Sequence, residues 1–329
     1  MRRLAIIGGG AWGTALALLA RRAGARPTLW ARDPEVVAAI NERHENPLFL
    51  PGIALDPAIA ACSSLACALE GAEALLLVVP SQFLRAILLL LAPQIPPGLP
   101  LLLCSKGIEI ASQKTMSELA GELLPGSPLA VLSGPSFAFE VARDLPTAVT
   151  IASVDPSLAR AFIAALGNPR FRPYLSTDPI GAEIGGAVKN VLAIACGIVL
   201  GCGLGENARA AVITRGLAEV MRLGLAKGGR AETMSGLSGL GDLVLTCSGA
   251  GSRNFALGQA LGRGTSLESL LEGRRTVVEG VATARAVVEL ARRLEVEMPI
   301  SAAVEAVLYR GAAIDAMTRE LLNRPYRSE

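Results

Sequence analysis

The sequence reads as an α/β chain: a parallel, doubly wound sheet in the first half, followed by an all-α C-terminal domain. Three observations carry that reading. At the very start, a short apolar run meets a glycine cluster and then a helix of small and aliphatic residues. Short aliphatic runs then alternate with helical segments, and several end in Gly, Ser or Pro, as strands with functional loops at their carboxyl ends do. From Ala182 onward apolar residues recur at helical spacing, with no strand pattern.

The first strand is Leu4-Ala5-Ile6-Ile7. Gly8-Gly9-Gly10-Ala11-Trp12-Gly13 follows and fills G-x-G-x-x-G, and Thr14 to Ala20 reads as the helix behind it. In that pattern Gly8 permits the tight turn, Gly10 lets the backbone approach a pyrophosphate, and Gly13 allows close helix–strand packing. The free N–H groups of the helix then face the phosphates. Strand, fingerprint and helix together mark a Rossmann-type dinucleotide-binding sheet.

The second strand, Pro27-Thr28-Leu29-Trp30, runs into Ala31-Arg32-Asp33, about 20 residues after the glycines, where a ribose-binding acid usually sits. A guanidinium there pairs with a 2′-phosphate, so Arg32 favours NADP(H). Asp33, as the acid or as the cap of a helix after Pro34, keeps NAD(H) open. Further strands are expected at Ala74–Val79, Leu99–Cys104, Leu129–Leu132 and Ala148–Ala152. Tyr174–Gly181 is the expected passage between a dinucleotide-binding domain, residues 1–180, and an all-α substrate and catalytic domain, residues 181–329. Helices are expected over Glu206–Lys227, Val281–Leu294 and Ser301–Ile314, with Pro299 at a helix start. A cleft between the two domains is the expected ligand site.

Composition narrows the function classes. The 329 residues are 51% hydrophobic and 18% charged, with a net charge of +2 and no basic block, so no nucleic-acid partner is expected. The six cysteines (Cys62, Cys67, Cys104, Cys196, Cys202, Cys247) contain no C-x-x-C, and His44 is the single histidine. Neither a metal site nor a disulfide framework is expected, and a cytoplasmic location fits. The apolar stretches Ala86–Leu103, broken by prolines, and Val191–Leu204, short and glycine-bearing, read as buried elements rather than membrane spans. The start of the sequence does not read as a secretory signal.

Only four lysines stand against twenty-seven arginines. A position that keeps lysine against that background points to a compact, titratable ammonium. Lys106 sits in Cys104-Ser105-Lys106-Gly107, at the end of a buried strand, where it can reach cofactor or substrate. Lys189 lies in Gly185-Gly186-Ala187-Val188-Lys189-Asn190, the polar pair of an apolar helix, with the glycines leaving space beside its side chain. Desolvation there brings a lysine pKa toward the range of acid–base work. In Gly239-Leu240-Gly241-Asp242, Asp242 either orients a catalytic ammonium or caps a helix. Ser252-Arg253-Asn254 supplies a fork and neutral donors suited to a phosphate.

These segments, with Leu50-Pro51-Gly52, Val79-Pro80-Ser81, Ser133-Gly134-Pro135-Ser136-Phe137-Ala138, Asn207-Ala208-Arg209-Ala210-Ala211 and Val277-Val278-Glu279-Gly280, give a chain that resembles the soluble NAD(P)-dependent glycerol-3-phosphate dehydrogenases of bacteria nearly end to end. The resemblance implies reversible reduction of dihydroxyacetone phosphate to sn-glycerol 3-phosphate, a precursor of glycerophospholipids. It implies Lys189 as general acid/base, assisted by Asp242. It places Lys106, Gly134, Ser136, Ser252, Arg253 and Asn254 on the phosphorylated substrate. It places Ala11, Trp12, Arg32, Lys106, Ala138, Arg253, Val277 and Glu279, with the fingerprint glycines, on the cofactor.

The sequence departs from the family at Ala11, where many members carry a small hydroxyl residue beside the pyrophosphate, and over His44-Glu45-Asn46-Pro47-Leu48-Phe49. Two rivals remain. A β-hydroxyacid dehydrogenase shares the architecture and a helical lysine. A non-catalytic NADP(H)-binding sensor is favoured if Lys106, Lys189 and Asp242 lie far apart or face away from the glycine loop. The apolar helical domain is compatible with a homodimer.

Overall fold

The structure, a computed structural model, describes residues 1–249, 251–273 and 276–325, and among these ten strands form two sheets. They are β1 (Arg3–Ile7), β2 (Arg26–Trp30), β3 (Glu45–Asn46), β4 (Leu50–Ala54), β5 (Ala60–Cys62), β6 (Ala74–Leu77), β7 (Leu101–Leu103), β8 (Leu129–Ser133), β9 (Thr147–Ala152) and β10 (Phe171–Ser176). The main sheet has eight strands in the order β10-β9-β8-β7-β6-β1-β2-β5, and β3 and β4 form a small antiparallel pair. Along β1, Leu4 and Ile6 enter one apolar cluster while Ala5 and Ile7 enter another, so both faces of the sheet are covered by helices. That explains why the central strands are continuous aliphatic runs rather than alternating ones.

Several expectations need correction. The sheet is not wholly parallel: β8 and β9 pair antiparallel, with Leu132 opposite Ile151. Their connection, residues 134–146 with the five-residue helix Ala138–Ala142, returns the chain to the end of the sheet at which β8 finishes, so β9 runs back alongside it. Tyr174 to Ser176 belong to β10 and are not yet interdomain passage. Pro173 and Arg172 hid that strand, yet proline is tolerated at a sheet edge, where β10 lies. Ser301–Ile314 is not one helix: Pro299–Tyr309 and Ile314–Leu322 are separated by a turn containing Gly311 at φ 64°.

The helix Pro179–Gly201 organises the second half. Asp178 caps it by accepting from Gly181 N at 2.9 Å, and its other oxygen accepts from Arg230 N at 2.8 Å. The segment Val191–Leu204 thus lies, as far as Gly201, in a 23-residue helix long and apolar enough to cross a membrane by length and composition alone. Of its most apolar 18-residue window, 83% is buried inside the fold. It crosses the helix Arg253–Gly262 so closely that a Cβ on Gly197 would lie 2.1 Å from Phe255 O. This crossing brings Asn254 beside Asn190, and so fixes the floor of the site.

Candidate active site

Four neighbouring strands, β8, β7, β6 and β1, deliver their carboxyl ends to one edge of the sheet. Between β1 and β6 the strand order reverses, the place where open α/β sheets bind ligands. Gly8, at φ 133°, lies so close to the backbone after β6 that a Cβ would sit 2.9 Å from Val78 C. Gly13 is as constrained, because its Cβ would sit 1.8 Å from Gly8 O. Gly10 differs: a Cβ there meets nothing within 4 Å. Gly10 also stands at the N-terminus of the helix Ala11–Arg22 without a side-chain cap, and Trp12 Nε1 is buried without a partner. Open space, uncapped amides and a spare donor fit the pyrophosphate of a dinucleotide.

Arg32 is exposed just beyond β2. Asp33 is engaged as the cap of the helix Pro34–Arg43, its Oδ1 accepting from Glu35 N at 3.0 Å. The cap role of Asp33 is thus present, and it uses one carboxylate oxygen.

The chemistry centres on Asp242, which is fully buried. Lys189 Nζ donates to its Oδ1 at 2.5 Å and to Thr246 Oγ1 at 3.0 Å. Lys106 Nζ donates to the other oxygen, Oδ2, at 2.7 Å and to Gly134 O at 2.8 Å. The position of Lys106 follows from the loop after β7, where Ser105 Oγ donates to Val79 O at 2.5 Å. Burial pulls the Lys189 ammonium down to about 8; Asp242 works against that shift and the neighbouring Lys106 charge adds to it. Asp242 is the first residue of the helix Asp242–Cys247, whose cap position is Gly241 without a side-chain cap bond, so Asp242 does not cap the helix and its carboxylate instead meets the two ammoniums.

The glycines before Lys189 serve a different purpose from the one the sequence suggested. A Cβ on Gly186 would lie 2.7 Å from Ser133 Oγ and 3.6 Å from the stem of Lys106, while one on Gly185 would meet Ser238 O at 2.4 Å. They admit neighbouring segments rather than free space for Lys189.

A hydrogen-bonded chain joins the two halves of the site. Ser81 donates from N and Oγ to Glu279 at 3.1 and 2.6 Å. Gly280 N donates to Asn254 Oδ1 at 2.9 Å, and Asn254 Nδ2 donates to Asn190 Oδ1 at 2.9 Å. Asn190 Nδ2 in turn reaches Lys106 O at 3.4 Å. Burial raises the Glu279 carboxyl, while the Ser81 hydrogen bonds and the charge of Arg253 pull it back.

Asn254 is therefore largely a strut, and Ser252 caps its helix by accepting from Phe255 N at 3.2 Å. Arg253 is exposed beside them, and Val277 is exposed near Glu279. Ser136 Oγ donates to Gly134 O at 2.9 Å, and Ala138 begins the short helix after it. Sequence reasoning assigns no role to Thr246 or Ser133. The four-residue step from Asp242 to Thr246 was the available sign for the first. Ser133 Oγ is buried without a partner, which only the fold reveals.

A cavity of about 560 Å³ lies at the other end of β1 and β2, lined by Arg3, Arg26 and Thr28, and holds none of these residues. Among the described residues no group of three or more His, Cys, Asp or Glu is placed to hold a metal ion.

Two family models match: the N-terminal domain of NAD-dependent glycerol-3-phosphate dehydrogenase over residues 3–159 and its C-terminal domain over residues 178–319. A glycerol-3-phosphate dehydrogenase [NAD(P)+] of Rhodospirillum rubrum is 60% identical over 326 residues, covering 99% of this chain and 93% of that protein. One from Caulobacter vibrioides is 58% identical, over 99% of this chain and 98% of that protein. The crystal structure of glycerol-3-phosphate dehydrogenase from Coxiella burnetii superposes with a TM-score of 0.95 at 39% identity, covering 98% of this chain and 99% of that one. A ketopantoate reductase from Ralstonia eutropha, at 19% identity and a TM-score of 0.62, shares the fold alone. With both halves matched and bacterial relatives alike from end to end, the chain belongs to the NAD-dependent glycerol-3-phosphate dehydrogenase family, a family of oxidoreductases.

Proposed function

We propose that this enzyme reduces dihydroxyacetone phosphate to sn-glycerol 3-phosphate with Lys189 as the general acid, and runs the reverse reaction with Lys189 as the base. The observation that carries this reading is the buried Lys189 ammonium, 2.5 Å from Asp242 and lowered to about 8. A nicotinamide cofactor bound at the glycine loop supplies the hydride to C2 of the substrate. Lys189 Nζ gives its proton to the oxygen that develops negative charge at C2, and stabilises that charge before the transfer. Asp242 and Thr246 aim Nζ, and Asp242 keeps the ammonium from being driven neutral by burial alone. Lys106, on the second Asp242 oxygen, adds positive charge at the same place. Arg253 holds the substrate phosphate, with Ser252 and Asn254 shaping the helix start beside it.

Residues 1–180 hold the cofactor and residues 181–329 supply the acid–base group, with the division in the first turn of Pro179–Gly201. Arg32 takes the 2′-phosphate, so NADP(H) is preferred and NAD(H) is used. A reducing cytoplasm suits a chain whose six cysteines are free thiols.

The β-hydroxyacid dehydrogenase reading differs in the substrate anion, a carboxylate rather than a phosphate. The test is oxidation of NADPH and NADH with dihydroxyacetone phosphate against a panel of 2- and 3-oxo acids. Turnover with dihydroxyacetone phosphate alone is the expected result, and turnover confined to the oxo acids refutes the proposal. Side chains far apart would favour the sensor reading, and Lys106 and Lys189 instead meet on Asp242 within hydrogen-bonding distance.

A further inference from the structure

Three consecutive glycines, Gly8-Gly9-Gly10, form the loop under the proposed pyrophosphate, and glycine backbone is the freest to rotate. A rotated peptide there would present a carbonyl oxygen, with its partial negative charge, to the phosphates. Something must hold the carbonyls back. Asn46, on the neighbouring β3–β4 pair, is completely buried. Its Nδ2 donates to Gly9 O at 3.0 Å and to Thr14 Oγ1 at 2.8 Å. Thr14 Oγ1 in turn donates to Gly10 O at 2.9 Å. Asn46 Oδ1 accepts from Phe49 N at 3.3 Å, which fixes the amide's orientation within its own turn. One side chain thus restrains Gly9 O directly and, through Thr14 Oγ1, adds a second hold on Gly10 O, which also accepts from Thr14 N at 3.0 Å.

We infer that Asn46 is a positioning residue for the cofactor: with Thr14 as relay, it pins the Gly9 and Gly10 carbonyls so that the loop amides face the pyrophosphate. The need is greater here because Ala11 brings no hydroxyl to the phosphates, which leaves the amides to do the binding. The inference rests on the placement of the pyrophosphate at the glycine loop.

The test measures NADPH affinity by fluorescence titration in Asn46→Asp, Thr14→Val and Thr14→Ser, with adenosine 2′-monophosphate as a probe lacking a pyrophosphate. Thr14→Val is nearly isosteric, so it keeps the fold even where the Asn46 change does not. Asn46→Asp and Thr14→Val are expected to weaken NADPH roughly tenfold, the scale of a lost buried hydrogen bond, with Thr14→Ser near wild type. Adenosine 2′-monophosphate affinity and KM for dihydroxyacetone phosphate stay within about twofold. Equal weakening of both probes, or unchanged NADPH affinity with only a lowered melting temperature, overturns the inference. Gly10→Val separates the two ideas, because Gly10 at φ −76° accepts a side chain without backbone strain. If Gly10→Val leaves NADPH affinity intact, the placement itself fails and the inference with it. If Gly10→Val abolishes binding while Asn46→Asp and Thr14→Val do not weaken it, the placement stands and the Asn46 inference alone is overturned.

Discussion

Lys106 and Lys189 share the single carboxylate of Asp242, one ammonium on each oxygen, at 2.7 and 2.5 Å. Two cations on one buried anion leave a surplus positive charge, and the Lys106 charge adds to the lowering of the Lys189 ammonium. Lys189 is the more deeply buried, so desolvation falls hardest on it and brings its ammonium to about 8. An arginine in its place would hold the charge and could not exchange the proton.

The first prediction is a pair of opposed pH profiles. As acid, Lys189 must carry its proton, so kcat/KM for dihydroxyacetone phosphate reduction falls as pH rises through about 8. As base it must be free of it, so kcat/KM for glycerol 3-phosphate oxidation rises through the same point. Lys189→Arg should retain cofactor binding, lose turnover by ~10²–10⁴-fold and abolish both limbs. Steady-state profiles in the two directions check this, and limbs that survive in the arginine variant would remove Lys189 from the chemistry.

Asp242→Asn should be more damaging than removal of a surface charge. It leaves two ammoniums facing each other in a buried place, a loss of about 3–5 kcal/mol by the usual cost of breaking a buried ion pair. Because Asp242 raises the Lys189 pKa, its loss should also move the oxidation limb below 8. The linkage sign follows. Below that limb Lys189 is charged and unpaired, so destabilisation is greatest at low pH and shrinks as pH rises and the proton leaves. Thermal unfolding from pH 6 to 9, a range set by the value of about 8, measures it, and a pH-independent destabilisation counts against the shared-carboxylate account.

How much of this was legible in the chain depends on whether the interaction is local. The glycine fingerprint, the aliphatic strands and the scarce lysines were readable because each is a short pattern with one physical cause. The direction of β9 was not, since pairing direction depends on where the connection returns rather than on the residues of the strand. Asp242 was recognised as a polar residue without a settled partner, because Lys106 and Lys189 reach it from positions 136 and 53 residues away. Asn254 also braces Asn190 and Gly280, contacts between residues 64 and 26 positions apart that no local pattern displays. The segment containing Ala250 and the pair Arg274 and Arg275 lie outside the described residues.

Arg253→Ala should act mainly on binding of the phosphorylated substrate. A charge-assisted hydrogen bond is worth about 1.5–3 kcal/mol, and the exposure of Arg253 places it at the lower end. KM for dihydroxyacetone phosphate is therefore expected to rise roughly tenfold, with kcat less affected. Since the Arg253 charge also acts on Glu279, NADPH affinity must be measured alongside. A rise seen only for NADPH reassigns Arg253 from substrate to cofactor.

The last prediction concerns Arg32. Asp33, the acid beside it, spends its carboxylate on Glu35 N and caps the following helix, so the exposed Arg32 guanidinium is the charged group left to meet the end of the adenosine ribose. Paired with a 2′-phosphate, it makes NADPH the tighter ligand, and Arg32→Ala should weaken NADPH by about 1–3 kcal/mol while NADH changes little. Because the pair is exposed, raising salt from low ionic strength to 0.5 M, a Debye length of roughly 4 Å, should erode NADPH affinity more than NADH affinity. Arg32→Lys keeps the charge but not the planar fork, and is expected to recover part of the preference. Asp33→Asn keeps a capping oxygen for Glu35 N, so it should leave the helix and the NADH affinity near wild type. A wild-type enzyme that prefers NADH and ignores Arg32→Ala would hand the ribose to a carboxylate. Asp33→Asn would then weaken NADH, and its failure to do so would leave Glu279, the acid bound to Ser81 across the site, to take that role.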